Sequence, residues 1–411
     1  MSNKAKDQKP CAEVSISTIY DAAKVLKDKV LNTPLIYSSG LSHLFGGQVF
    51  LKLENLQKTG SFKVRGATYK LLKNLNNIGA SGVVAASAGN HAQGVALAAS
   101  EAGLKAFIVM PQWASITKQE ATRNYGGQVI IHGQSIAESL SLAQEMAKDD
   151  KMLIHPYDDS EIIAGQGTIA LEILAALPDV DLVICPIGGG GLLSGIAIAL
   201  KSLRPAVKIV GVQTKCCPSA SYALKAGKPI TIESMPSVAD GISVKRTGQI
   251  PFKVLSETID DLILVDENTI ISAILMLLER KKILAEGAGA VSLAALMSGS
   301  MRLSSKTKVV LVISGGNLDS SILDRIIHRG LIKDSRVVRL QVMLDDRPGS
   351  LAQLLGIIAS LNANVLHIQH ERNDKDMPLF TTRVNLDLET RGPFHISKIS
   401  QSIQSAGYRI F

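Results

Sequence analysis

From about residue 48 to about residue 330, short apolar runs alternate with stretches in which apolar side chains recur at helical spacing. Runs at 49–53, 83–86, 106–110, 129–132, 182–187, 209–213 and 309–314 read as buried strands, and segments such as 94–101, 137–148, 162–176 and 192–203 read as helices. Strands that alternate with helices predict an α/β protein of parallel sheets joined by right-handed crossovers. In such sheets ligands sit beyond the carboxyl ends of the strands, so the strand-to-helix loops are where chemistry is expected.

Near Ser335 the pattern changes. A strand at 337–344, a helix at 348–361, strands at 365–370 and 380–388, a helix at 395–406 and a short closing segment at 408–411 follow in order. That is β-α-β-β-α-β, a small ferredoxin-like α+β domain in about the length it requires. The boundary is expected within 332–336, dividing the chain into residues 1–331 and 336–411.

Composition narrows the function class. Of 411 residues 46% are hydrophobic and 19% charged, enough for buried cores. Aromatics are 4%, with Trp113 the sole tryptophan, fewer than a base-stacking nucleic-acid binder would use. The net charge of +8 is spread along the chain without a dense basic block, which predicts a solvated surface rather than a nucleic-acid or membrane partner. Cys11, Cys185, Cys216 and Cys217 form no C-x-x-C pair, and reduced thiols are expected. The first ten residues, MSNKAKDQKP, lack the apolar centre of a signal peptide, and no apolar run is long enough to span a membrane. A cytoplasmic protein is the expectation.

Four loops behind predicted strands carry unusual residues. Gln57-Lys58-Thr59-Gly60-Ser61-Phe62-Lys63-Val64-Arg65-Gly66 places a lysine at a helix start, where a cation is disfavoured and a Schiff-base amine is favoured. Ser87-Ala88-Gly89-Asn90-His91-Ala92-Gln93-Gly94 offers hydroxyl, amide and N–H groups suited to a carboxylate. Gly188-Gly189-Gly190-Gly191-Leu192 lets successive N–H groups approach a phosphate, and its spacing is neither that of a dinucleotide loop nor of a Walker loop. Ser314-Gly315-Gly316-Asn317 ends the last apolar run. Singly, each has a plainer reading: a surface lysine after a turn, an Asn or Ser helix cap, a flexible turn, a cap and turn.

Together, in this order, SFKVRGA, SAGNHAQG, GGGGL and SGGN resemble fold-type II pyridoxal-phosphate enzymes of the threonine/serine dehydratase branch, over about residues 15–330. The resemblance implies two open parallel-sheet subdomains with pyridoxal 5'-phosphate in the cleft between them. It implies that Lys63 carries the cofactor as a Schiff base and later acts as general base, with Phe62 beside the pyridine ring. Asn90 would face the ring hydroxyl, Gly188, Gly189, Gly190, Gly191 and Leu192 would hold the phosphate, and Ser314 would face the pyridine nitrogen. Gly241, in Ala239-Asp240-Gly241-Ile242, matches a position close to the cofactor, and Ser87, Asn90 and His91 would receive the substrate carboxylate. A serine at the pyridine nitrogen leaves the electron sink incomplete, which favours loss of the β-hydroxyl.

The implied activity is dehydration and deamination of L-threonine to 2-oxobutanoate and ammonia, with L-serine to pyruvate secondary, in isoleucine biosynthesis or threonine catabolism. Serine racemases of this branch carry a second serine in the asparagine loop, where this chain has Ala88. Their metal site uses an acid after the strand at 209–212, where this chain has Gln213, so no metal is expected. Residues 336–411 resemble an ACT-like module through Asp346-Arg347-Pro348-Gly349-Ser350-Leu351. That implies either an allosteric amino-acid site or a structural dimerisation module, in a homotetramer or dimer. The alternatives are a serine dehydratase or racemase, and a non-catalytic amino-acid sensor.

Overall fold

The computed structural model describes residues 14–148, 150–372 and 377–411. The polar segment 1–10 and Cys11 lie outside the described residues. The chain forms two compact units, one ending at Asp319 and the other running from Ser320 to Phe411.

The first unit holds two sheets. Strands β1 (Leu35–Tyr37), β2 (Gln48–Leu53), β3 (Val83–Ala86), β4 (Ala106–Met110), β5 (Gly127–Ile131), β6 (Met152–Leu153), β7 (Leu182–Pro186), β8 (Lys208–Thr214), β9 (Asp261–Val265) and β10 (Lys308–Ile313) supply them. The larger sheet has the order β1-β2-β10-β7-β8-β9 and the smaller β5-β4-β3-β6. All pairings are parallel except β1 on β2. Strands β3 and β7 are buried along their whole length, which is why they read as unbroken apolar runs: helices cover both faces. The expected fold class is therefore the observed one. Strands β1, β6 and β9 were not anticipated: β1 and β6 are three and two residues long, and β9 alternates in burial at the sheet edge.

In the second unit, β11 (Val337–Asp345), β12 (Asn364–Glu371), β13 (Thr381–Glu389) and β14 (Arg409–Ile410) form an antiparallel sheet in the order β12-β13-β11-β14. The helices Ser350–Ser360 and Pro393–Ser405 turn Leu354, Ile358, Ile399 and Ile403 onto its buried face. The division between units falls ahead of the helix Ser320–Lys333 rather than within 332–336. That helix packs against β11, the strand that follows it, and so goes with the second unit.

One interaction ties the first unit together near its site. Arg65, on the helix Lys63–Lys73, is fully buried. Its Nε donates to Glu54 Oε2 at 2.8 Å, and Nη1 donates to Glu172 Oε1 at 2.6 Å. Nη2 reaches both carboxylates at 2.9 Å and the Leu31 carbonyl at 3.2 Å. Lys52 also donates to Glu172 and to the Thr33 carbonyl. Burial disfavours the Arg65 charge, but Glu54 and Glu172 hold the guanidinium above its ordinary value. Burial draws Lys52 down against the same two acids. Two cations thus meet two carboxylates across β2, the Lys63–Lys73 helix and the Ser160–Ala176 helix.

Arg65→Leu leaves Glu54 buried without its main partner. Breaking a buried pair in this way is expected to cost about 3–5 kcal/mol, read by chemical denaturation. A loss below about 1 kcal/mol, the range of an exposed pair, would contradict the role given to the network.

Candidate active site

The expected loops meet at the carboxyl ends of both sheets. Lys63 opens its helix after β2, with Phe62 as the preceding residue. The helix Asn90–Glu101 approaches it so closely that a Cβ on Gly94 would lie 3.0 Å from Val64 N and 3.1 Å from the Lys63 carbonyl carbon. Phe62 N donates to Ser314 O at 3.2 Å, beyond β10, and Lys63 Nζ lies 5.2 Å from the Phe62 ring centre. Beyond β6, the Pro156 carbonyl accepts from Lys63 Nζ at 2.8 Å. Burial is the main force on that amine and pulls it down to about 8, with Glu286 opposing.

A second cluster adjoins it. Asn90 Nδ2 donates to Glu286 Oε1 at 2.7 Å, and Asn90 Oδ1 accepts from Asn317 Nδ2 at 2.7 Å. A Cβ on Gly315 would stand 2.4 Å from that same Glu286 oxygen, and one on Gly241 would stand 3.5 Å from it. Gly188 closes on the same turn, where its Cβ would lie 3.1 Å from Ile242 Cα. Lys63, Phe62, Asn90, Gly188, Gly241 and Ser314 are therefore brought together. Ser314 is buried.

The glycine run follows β7 and leads into the helix Gly191–Leu203, whose first turn holds Leu192. Side chains are excluded here. A Cβ on Gly189 would lie 2.3 Å from the Tyr157 ring, one on Gly191 2.9 Å from the Tyr157 carbonyl, and Gly190 has φ +100°. Among the described residues, the N–H groups of Gly188, Gly189 and Gly190 donate to no other group of the chain. The helix N-terminus adds first-turn N–H groups without helical partners. Unpaired N–H groups at a helix start are suited to a phosphate. With an enclosed amine, a cradle and a buried serine, these residues fit pyridoxal phosphate: Lys63 for the aldehyde carbon, Gly188–Gly191 and Leu192 for the phosphate, Ser314 for the ring nitrogen.

Two expected residues sit differently from the rest. The His91 ring is buried, with Nε2 2.9 Å from the Ile154 carbonyl, and burial drops its pKa to about 3. It is neutral and engaged away from the loop, which leaves its backbone N–H at the helix start. Ser87 keeps within its own loop, its hydroxyl accepting from Gly89 N at 3.2 Å. Gln213, at the racemase metal-acid position, accepts from Ala220 N and Ser221 N at 2.9 and 3.1 Å. It caps the helix Ser219–Ala226 with an oxygen that has no spare role. Glu286, Pro156 and Tyr157 were missed. The signal for Glu286 was a lone acid before Gly287-Ala288-Gly289 in an apolar stretch, and the other two sit in a loop without a motif.

The model of the family described as pyridoxal-phosphate dependent enzyme matches residues 26–315. The chain belongs to the pyridoxal-phosphate dependent enzymes. It is 46% identical over 399 residues to an L-threonine ammonia-lyase of Thermotoga maritima, across 97% of this chain and 99% of that one. A solved threonine deaminase, the processed form of isoform 2 from Solanum lycopersicum, is 33% identical with a TM-score of 0.72, over 78% of this chain and 95% of its own. A solved maize serine racemase is 35% identical with a TM-score of 0.73, over 78% and 99%. Pyridoxal phosphate is thus the cofactor of this pyridoxal-phosphate dependent enzyme, as the loops implied.

The depressed pKa of Lys63 sets how the cofactor is taken up. Below about pH 8 the amine is protonated and cannot attack the cofactor's aldehyde; above it the amine is free. The rate at which cofactor-depleted protein regains its bound cofactor should rise with pH and level off above about 8. A midpoint near the ordinary lysine value of 10.5 would contradict the enclosure described here.

Proposed function

We propose that this pyridoxal-phosphate dependent enzyme is a threonine ammonia-lyase, converting L-threonine to 2-oxobutanoate and ammonia, with L-serine a secondary substrate. The observation that carries the reading is the pairing of one enclosed amine, Lys63, with a methyl group, Ala88, on the asparagine loop. Lys63 supplies a base, and the loop position at which serine racemases of this branch carry a second serine holds Ala88. The end-to-end likeness to an L-threonine ammonia-lyase supports it.

Bound pyridoxal phosphate supplies the electron sink for the charge left on the substrate α-carbon. With the cofactor bound, the Lys63 amine would take the substrate Cα proton, a task for which an amine with a pKa of about 8 is well matched. Ser87 and the backbone N–H groups of Asn90 and His91, at the start of their helix, hold the carboxylate. His91 stays neutral because burial holds it so, and it does not compete for the proton. The β-hydroxyl would leave as water by taking up the proton that Lys63 removed from Cα, and the enamine product hydrolyses to keto acid and ammonia.

The ACT-like second unit is assigned as an amino-acid sensor. A concavity of about 280 Å³ in that unit is lined by the loop Asp345–Leu351 together with His370, Arg372 and Thr382. Asp346 and Arg372 pair there at 3.3 Å, so both signs of charge are present for a zwitterion. A homo-oligomer, dimer or tetramer, belongs to the same reading, supported by exposed Leu366 and Ile368 on edge strand β12. A cytoplasmic location belongs to the same reading, supported by the free thiols Cys185, Cys216 and Cys217; no helix of the described residues is long and apolar enough to cross a membrane.

Purified protein should release 2-oxobutanoate and ammonia from threonine in equal amounts. It should turn serine into pyruvate while the serine that remains stays in the L form by chiral chromatography. Accumulating D-serine would replace this reading with the racemase. Isoleucine or valine should shift the threonine response by about 1–3 kcal/mol of coupling, roughly 5- to 150-fold in affinity, and Arg347→Ala should abolish the shift. Superimposable curves across an amino-acid screen would make the second unit structural.

A further inference from the structure

Asn90, the proposed partner of the cofactor's ring hydroxyl, is gripped at both ends by residues with no part in that assignment. Asn317 Nδ2 donates to Asn90 Oδ1, and Asn90 Nδ2 donates to Glu286 Oε1, each at 2.7 Å. The relay has a direction. Asn317 Nδ2 also donates to the Thr59 carbonyl at 2.8 Å, and a carbonyl can only accept. The Asn317 amide is therefore fixed as donor, so the Asn90 oxygen faces Asn317 and its nitrogen faces Glu286. An amide nitrogen carries two hydrogens. Glu286 takes one and the other remains.

Glu286 is 4% exposed and is held by backbone. Its N–H donates to Gly315 O at 3.1 Å, and the helix Gly287–Met297 begins at the next residue. A Cβ on Gly289 would lie 2.3 Å from Gly315 O, so the helix start and the Ser314–Asn317 loop touch backbone to backbone. The charged groups that act on Glu286 are Asp240 from the 240–242 turn, Lys118 from the helix Ile116–Asn124, and Lys63. Burial first, then Asp240, push its carboxyl up to about 8 against Asn90, Lys118 and Lys63. At neutral pH it accepts from Asn90 without setting a full negative charge beside the ring hydroxyl.

We propose that Glu286 is a positioning residue: by accepting from Asn90 Nδ2 it fixes the Asn90 amide so that the second Nδ2 hydrogen is kept for the ring hydroxyl oxygen of pyridoxal phosphate. The inference rests on Asn90 as that oxygen's partner. Without Glu286 the grip on the nitrogen is lost and the second hydrogen is no longer committed to the cofactor.

The test compares holoenzymes of the wild type, Glu286→Gln, Glu286→Ala and Asn90→Ala at pH 7. It reads the absorption band of the bound cofactor and its dissociation constant by dialysis against graded pyridoxal phosphate. Glu286→Gln keeps an acceptor and should match the wild-type band, with affinity within about threefold. Glu286→Ala and Asn90→Ala should both shift the band and weaken cofactor binding about tenfold, the scale of one buried hydrogen bond. If Asn90→Ala is altered while Glu286→Ala matches the wild type, the proposal is overturned and the Asn90 assignment stands. If Asn90→Ala also matches, the assignment beneath the proposal falls with it. Equal damage in Glu286→Gln and Glu286→Ala overturns it too, since the acceptor would then not be what matters. Should Glu286→Ala fail to fold, Glu286→Met fills the same space without an acceptor and is judged by the same outcomes.

Discussion

The buried guanidinium of Arg65 is the constraint on which the site depends. It lies two residues beyond Lys63 on the same helix and is bound along two adjoining edges by Glu54 and Glu172. A buried pair of this kind adds little net stability over an apolar substitute, but losing one member is severe. Its use here is geometric. Glu54 follows β2 and Glu172 rides on the Ser160–Ala176 helix, so Arg65 locks the Lys63 helix to the large sheet and to that helix at once. The lysine amine is then held where the Pro156 carbonyl meets it, and burial pulls its pKa down to about 8.

The second constraint is backbone approach. Glycines at 94, 189, 191, 289 and 315 each stand where a methyl group would collide with a neighbouring loop or helix. Their absence of side chains brings five loop ends, from both sheets, into one site. Burial acts in the same direction on the titratable groups gathered there. It lowers Lys63 and His91 and raises Glu286, so that at neutral pH His91 and Glu286 are uncharged beside N–H donors suited to a phosphate.

Much of this was legible in the chain. Parallel strands with both faces covered announce themselves as apolar runs, and the loops behind β2, β3, β7 and β10 carried residue types with a physical use. The C-terminal β-α-β-β-α-β order was equally plain because alternating burial marks β11 and β13. What was not legible has a common cause. Strands β1 and β6 are too short to show a period. The Ser320–Lys333 helix has the same helical spacing of apolar residues as the helices before it in the sequence, so only its packing on β11 shows which unit holds it. Glu286 and Pro156 act through positions that only folding brings beside Asn90 and Lys63. The His91 ring turns to a carbonyl in the core, a choice no local pattern encodes.

The central claim is that this packing presents one particular amine to the cofactor. Borohydride reduction of the holoenzyme fixes the cofactor to whichever lysine holds it, and peptide mass spectrometry then reports the position. The account predicts the reduced adduct on Lys63 alone. An adduct on Lys118, which also neighbours Glu286, or on any other lysine would contradict it.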